Sequence, residues 1–171
     1  WSWELVQIDK TIIGINTHNP NKIVQEAIQN NKIKELIDYS ILKREVKYGT
    51  NSKIDILLQD DSKKDCYVEI KNVHLSREKG LAEFPDAITT RGAKHLRELS
   101  LISKSGLRAV MLYLIQRNDC NFFKIAQDID TEYAEEFNNA LNAGVEVICM
   151  DTILSNKAID IGKNIQLLIN K

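Results

Sequence analysis

The sequence predicts an α/β fold, a mixed β-sheet flanked by helices. Three observations carry that expectation. The strand-like segments "REVKYG", "KIDILL" and "CYVEIK" follow one another, the last two joined by the polar turn "QDDSKKD", as in an antiparallel meander. The later run "LRAVMLYLI" is almost continuously apolar, which suggests a strand covered on both faces. Helical periodicity lies before the meander, between it and the apolar run, and after that run. The chain has no G-x-G-x-x-G and no Walker A, which argues against a doubly wound dinucleotide binder.

The elements read in order as follows. Residues 1–18 form a hairpin and linker, "ELVQI" and "TIIGIN" turning at Asp9-Lys10. Residues 19–171 make the main domain, of a size that buries a substantial core. Its first helix starts near Asn19 or Asn21, tolerates Pro20 in its first turn, and presents Ile23, Ala27, Ile33, Leu36 and Ile37, with a break at Asn30-Asn31. After the meander, the polar stretch "NVHLSREKGLAEF" reads as a connecting loop able to pass over a bound strand. A long helix is expected from about Asp86 to Lys104, anchored by Leu96, Leu99 and Ile102 and ended by Gly106. Within it Gly92 is locally unfavourable, and it suggests close packing or close approach of a phosphate. A third helix spans about Thr131 to Ala143, capped by Asp130 and stopped by Gly144. "VEVICMDTIL" is a further strand, and "AIDIGKNIQLLI" reads as a closing hairpin.

Composition narrows the setting. No apolar run approaches the roughly 20 residues of a membrane helix, so no membrane partner is expected. Cys66, Cys120 and Cys149 are odd in number and embedded in apolar stretches, which predicts reduced, buried thiols and a cytoplasmic protein. The chain opens at Trp1 without Met, which suggests that an N-terminal part is missing. Net charge is −1, with no general attraction for a polyanion. The charge is unevenly spread, however. Lys43 to Arg97 holds twelve Lys/Arg against nine Asp/Glu, and Asn118 to Asp160 nine acids against two lysines.

One constellation carries chemistry. In "CYVEIK" the period of two places Tyr67, Glu69 and Lys71 on one face and Cys66, Val68 and Ile70 on the other. Asp55 interrupts "KIDILL", pointing away from the core face of Ile54, Ile56 and Leu58. If the strands pair antiparallel, it converges with Glu69. Two carboxylates and a lysine suit a hard divalent cation, Mg²⁺ or Mn²⁺, with Glu26 of the first helix as a further donor through water. The same residues also read as a cross-strand ion pair worth under about 1 kcal/mol. Arg91, Lys94 and His95 share a helical side at three- and four-residue spacings, a possible grip on phosphates or a solvated basic face. His74 follows the strand directly and reads as a surface histidine, the alternative being one that reaches a substrate.

Four blocks, "REVKYGTNSKIDILLQ", "DCYVEIKNVHL", "FPDAITTRGAKHLREL" and "AGVEVICMDTIL", together resemble the sugar fermentation stimulation protein A family over nearly the whole chain. The resemblance implies a restriction-endonuclease-like PD-(D/E)XK domain over residues 19–171, preceded by an OB-like module absent here. It implies DNA as partner and a link to regulation of sugar (maltose) metabolism. On that pattern Asp55 matches the Asp of the second core strand, Glu69 and Lys71 the E-x-K of the third, and Glu26 the acid of the first helix. The expected function is then DNA binding with a nuclease-like site of catalytic Asp55, Glu69 and Lys71, its metal held by Asp55, Glu69 and Glu26. The alternative is a regulator that holds DNA without cutting it. A homodimer is compatible with such a fold, although no interface is legible.

Overall fold

The computed structural model describes residues 3–49 and 52–169, so Trp1 lies outside the described residues. The hairpin at the start is present: β1 (Leu5–Ile8) pairs antiparallel with β2 (Thr11–Gly14). Helix α1 (Asn19–Gln29) carries Pro20 in its first turn, where the missing N–H costs nothing. It ends at the expected break, with Asn31 in the left-handed region. A short 3₁₀ turn (Lys34–Leu36) replaces any continuation and buries Leu36.

The meander follows as β3 (Ile41–Tyr48), β4 (Ser52–Asp60) and β5 (Lys63–Val73), joined pairwise antiparallel. Next come β6 (Leu75–Glu78), β7 (Leu81–Phe84), α2 (Thr90–Lys104), β8 (Arg108–Ile115), β9 (Phe122–Ile125) and α3 (Thr131–Asn142). The chain closes with β10 (Glu146–Leu154), β11 (Ile159–Asn164) and β12 (Gln166–Leu168). The main sheet has the order β11-β10-β8-β5-β4-β3, and a second sheet the order β12-β9-β7-β6. β8 lies parallel between β5 and β10, reached from β5 by way of α2. Its residues Ala109 to Ile115 are all buried, as the apolar run requires.

The main sheet is covered on both faces. On one side Ile23, Val24, Ala27 and Ile28 of α1 pack on Ile56, Leu58, Cys66, Val68 and Ile70. On the other, Leu96 and Leu99 of α2, Phe137 of α3 and Phe123 of the second sheet pack on Ile54, Leu57, Val73 and Tyr113. Burial of this much apolar surface on both faces is the main stabilising contribution, at about 25 cal/mol per Å². The three cysteines are free and buried. Among the described residues no helix is long and apolar enough to cross a membrane.

Several local expectations are corrected. The stretch "NVHLSREKGLAEF" is ordered strand: it ends β5 and forms the β6–β7 hairpin, with Gly80 in the left-handed region (φ 82°) at the turn. Glu83, nearly fully buried in β7, is held there by Arg77 (2.7 Å), which also pairs with Asp128. The closing segment is not a hairpin, because β11 joins β10 whereas β12 runs parallel to β9. Helix α2 starts at Thr90, where the Thr89 hydroxyl accepts the Gly92 N–H (3.1 Å). Asp130 caps α3 through Tyr133 N–H (2.9 Å) and also accepts from Thr89 N–H (2.7 Å), so one buried carboxylate fixes two helix starts.

Gly92 sits in that junction. A Cβ there would lie 2.8 Å from Thr89 Cγ2 and 2.9 Å from Tyr133 Cε2. Tyr133 cannot retreat easily, since it is buried and its hydroxyl is bonded to that of Tyr113 (2.6 Å). The propensity gain of Gly92→Ala, about 1 kcal/mol, is therefore outweighed by an overpacking cost of about 1–3 kcal/mol. Urea unfolding should show a lower midpoint for the variant; a higher midpoint would contradict this packing.

Candidate metal centre

The site is assembled where β4 and β5 part. Their register runs Leu58↔Cys66, Leu57↔Tyr67, Ile56↔Val68 and stops there. One residue further along each strand are Asp55 and Glu69. At the same point the β3–β4 pair changes faces. Val46 and Ile54 face the α2 core, whereas Leu42 and Leu58 face the α1 core, although both pairs keep one register. Glu45, between them, has φ 49°, a left-handed conformation that is unfavourable for a side chain of this kind. Its carboxylate is exposed and pairs with Lys53. The sharp local turn swings Asp55 out of the ladder.

Asp55 then replaces the ladder bond with its own side chain. Its Oδ2 accepts the Ile70 N–H (2.8 Å) and its Oδ1 accepts from Asn21 Nδ2 on α1 (2.8 Å). Burial and the nearby charge of Glu69 hold its carboxyl above the usual aspartate range, against those two hydrogen bonds. Glu69 is more deeply placed, at 3% exposure under α2. Burial pushes its carboxyl up, but the His95 hydrogen bond and the Lys71 charge outweigh it and leave the group below its ordinary value. The two carboxyls are thus driven apart in opposite directions.

All the partners of Glu69 fall on one oxygen. Oε1 accepts from Lys71 Nζ (2.9 Å) and touches His95 Nδ1. Among the described residues Oε2 is buried with no hydrogen-bond partner. Lys71, largely buried, also lies 3.2 Å from His95 Nδ1. The sequence-derived residues Asp55, Glu69 and Lys71 therefore do come together, with Glu69 and Lys71 on the α2 side of β5.

The remaining expected residues are distributed differently. His95 is buried (4%) against Glu69, and so it does not share a solvent-facing phosphate grip with Arg91 and Lys94. The reason is its position at the edge of the helix side: three- and four-residue spacings also join it to buried Gly92 and Leu99. Arg91 is exposed and donates from Nε to His95 Nε2 (3.4 Å). Lys94 pairs with Glu98 (3.7 Å), and Arg97 bridges to Glu132 and Glu136 of α3. Glu26 is exposed beside Lys22 (3.9 Å), and the α1 side chain that reaches Asp55 is Asn21. His74 is partly buried, which lowers its pKa, and it is not a plain surface residue.

Two residues at this site gave no sequence signal strong enough to name. Asn21 reads as a helix cap in the sequence. Glu98, buried and three residues past His95, has its Oε2 without a hydrogen-bond partner among the described residues. The hydroxyl of Tyr48 lies in the same acidic field: burial and the charges of Glu69, Glu98 and Asp55 push its pKa up. Among the described residues no three His, Cys, Asp or Glu side chains already form a closed ligand set. A cation here would take its donors from Asp55 and Glu69 and complete its shell with water or substrate oxygen.

Comparison with known proteins shows the family of the chain. Residues 18–158 match the family model described as the sugar fermentation stimulation protein RE domain, SfsA. A sugar fermentation stimulation protein homolog of Agrobacterium fabrum is 49% identical over 165 residues, covering 96% of this chain and 69% of that protein. The homolog of Rhodospirillum centenum is 50% identical over 167 residues, covering 98% and 72%. Among solved structures, Pyrococcus furiosus SfsA in complex with Ca²⁺ superposes with a TM-score of 0.89 at 27% identity, over 97% of this chain and 71% of that one. The chain belongs to the sugar fermentation stimulation protein family.

Proposed function

We propose that this chain is a PD-(D/E)XK-type domain that binds DNA and uses a divalent cation to hydrolyse phosphodiester bonds. The observation that carries this reading is the Oε2 of Glu69, a carboxylate oxygen buried without a partner among the described residues and close to a second carboxylate, Asp55. An orphaned anionic oxygen is costly in a folded protein unless something completes it. A hard cation with oxygen ligands is the group that fits, and the Pyrococcus furiosus relative is a complex with Ca²⁺. Asp55 and Glu69 would hold Mg²⁺ or Mn²⁺, which would supply Lewis-acid polarisation of a phosphoryl oxygen. Glu26, exposed beside Lys22, could join only through intervening water.

The chain's own groups then divide the work. Lys71, next to the carboxylates, places an ammonium where negative charge develops on the phosphate or where a water must be oriented. Arg91 and Lys94 supply positive charge on α2 for the phosphate backbone, the sequence-independent part of DNA binding. A second reading has one observation in its favour: Lys71 is bound to Glu69 at 2.9 Å, as in a plain ion pair. On that reading the domain grips DNA without cutting it, in a regulator of sugar (maltose) metabolism. In either case an OB-like module, a cytoplasmic setting and pairing of two copies belong to the same proposal.

Calorimetric titration of Mn²⁺ should show saturable binding by this chain that Asp55→Ala and Glu69→Ala each abolish. A DNA cleavage assay in Mg²⁺ should lose at least about 100-fold in rate with Lys71→Ala, the loss typical of one electrostatic donor. Titration without effect would overturn the cation site, and binding without cleavage would select the second reading.

The opposed carboxyl shifts give a pH test. Asp55, held above its ordinary value, favours the protonated fold, so its contribution to stability is present at low pH and is lost as pH rises through its raised pKa. Glu69, held below, contributes above its ordinary value and loses that contribution as pH falls through its lowered pKa. Asp55→Asn should therefore raise the urea midpoint at neutral pH in EDTA while abolishing Mn²⁺ binding. A lower midpoint would show that the Asp55 charge is not the destabilising element.

A further inference from the structure

Resting on the cation reading above, we propose that His95 is a positioning residue that holds Glu69 so that Lys71 is free to leave it. The ring nitrogen that carries the proton follows from the contact with Arg91. Arg91 Nε lies 3.4 Å from His95 Nε2, and a guanidinium can only donate. Nε2 is therefore the acceptor, the proton sits on Nδ1, and Nδ1–H is donated to Glu69 Oε1.

Lys71 Nζ meets the same Oε1 at 2.9 Å and lies 3.2 Å from the same Nδ1. An ammonium has no lone pair and Nδ1–H offers none, so these two groups do not bond each other. They are two donors on one carboxylate oxygen. If Lys71 alone fixed Glu69, its departure toward a phosphate or a water would leave a buried carboxylate unoriented. With His95 in place, Oε1 stays occupied and Oε2 keeps its direction. This is the role that outer partners play for metal-binding side chains, whose loss typically costs 10–100-fold in affinity. Burial of His95 at 4% and its place on α2, between Leu96 and the exposed Arg91, hold the ring in that orientation.

Two isosteres separate positioning from mere packing. In His95→Asn the amide nitrogen reaches the place of Nδ1, whereas in His95→Gln it reaches that of Nε2. Mn²⁺ titration should show His95→Asn within about threefold of the unaltered chain and His95→Gln weaker by about tenfold or more, with circular dichroism confirming that both fold. Binding retained equally by both variants, or weakened equally in both, overturns the role of His95 while leaving the cation site standing. No binding by the unaltered chain overturns the site and this role together. A measurement on the unaltered protein needs neither variant to fold: ¹⁵N NMR of the imidazoles should show the His95 ring protonated on Nδ1 and bare on Nε2. Any other protonation pattern for that ring overturns the proposal.

Discussion

A carboxylate set into the covered face of a central strand is the constraint on which the rest of the site depends. Glu69 lies on β5, between β4 and β8 in the sheet and beneath α2. Leaving such a charge unpaired costs several kcal/mol, so the fold must bring partners to it. It does so from two directions, Lys71 from the same strand and His95 from the helix above. Both partners attach to Oε1. The arrangement counters the charge and, among the described residues, leaves the second oxygen without a hydrogen-bond partner.

The second carboxylate is placed by backbone geometry instead of by pairing. Asp55 stands where β3 and β4 change faces, opposite a glutamate in the left-handed region. Its side chain takes the Ile70 N–H that a regular ladder would have used. Strained backbone of this kind persists where the surrounding structure fixes it, and it clusters at functional sites. Here the strain has a visible product: a largely buried acid held by Ile70 N–H and Asn21, its pKa raised by burial and by the nearby charge of Glu69.

Much of this was legible in the residues. Alternation in "CYVEIK" correctly divided Cys66, Val68 and Ile70 from Tyr67, Glu69 and Lys71, because β5 is a regular strand flanked on both sides. Alternation through Asp55 leads to the right neighbourhood by an incomplete route. It put Ile54 and Ile56 on one face, whereas they belong to different cores, since nothing in the sequence marks the left-handed Glu45. His95 was grouped with Arg91 because helical spacing tells which residues are neighbours, not where the buried side ends. Glu26 is an acid on α1, yet the rotation of that helix is set by Ile23, Val24, Ala27 and Ile28, which turn Asn21 to the site. The second sheet leaves no periodic signal in the sequence because β6, β7, β9 and β12 have four residues or fewer, too short for a period to show.

The most direct test of the account is anomalous diffraction from crystals of this chain soaked in MnCl₂. The account predicts one strong peak within bonding distance of Glu69 Oε2 and an Asp55 oxygen, with Oε1 still on His95. A peak elsewhere, or none at a concentration that saturates the protein in solution, would contradict it.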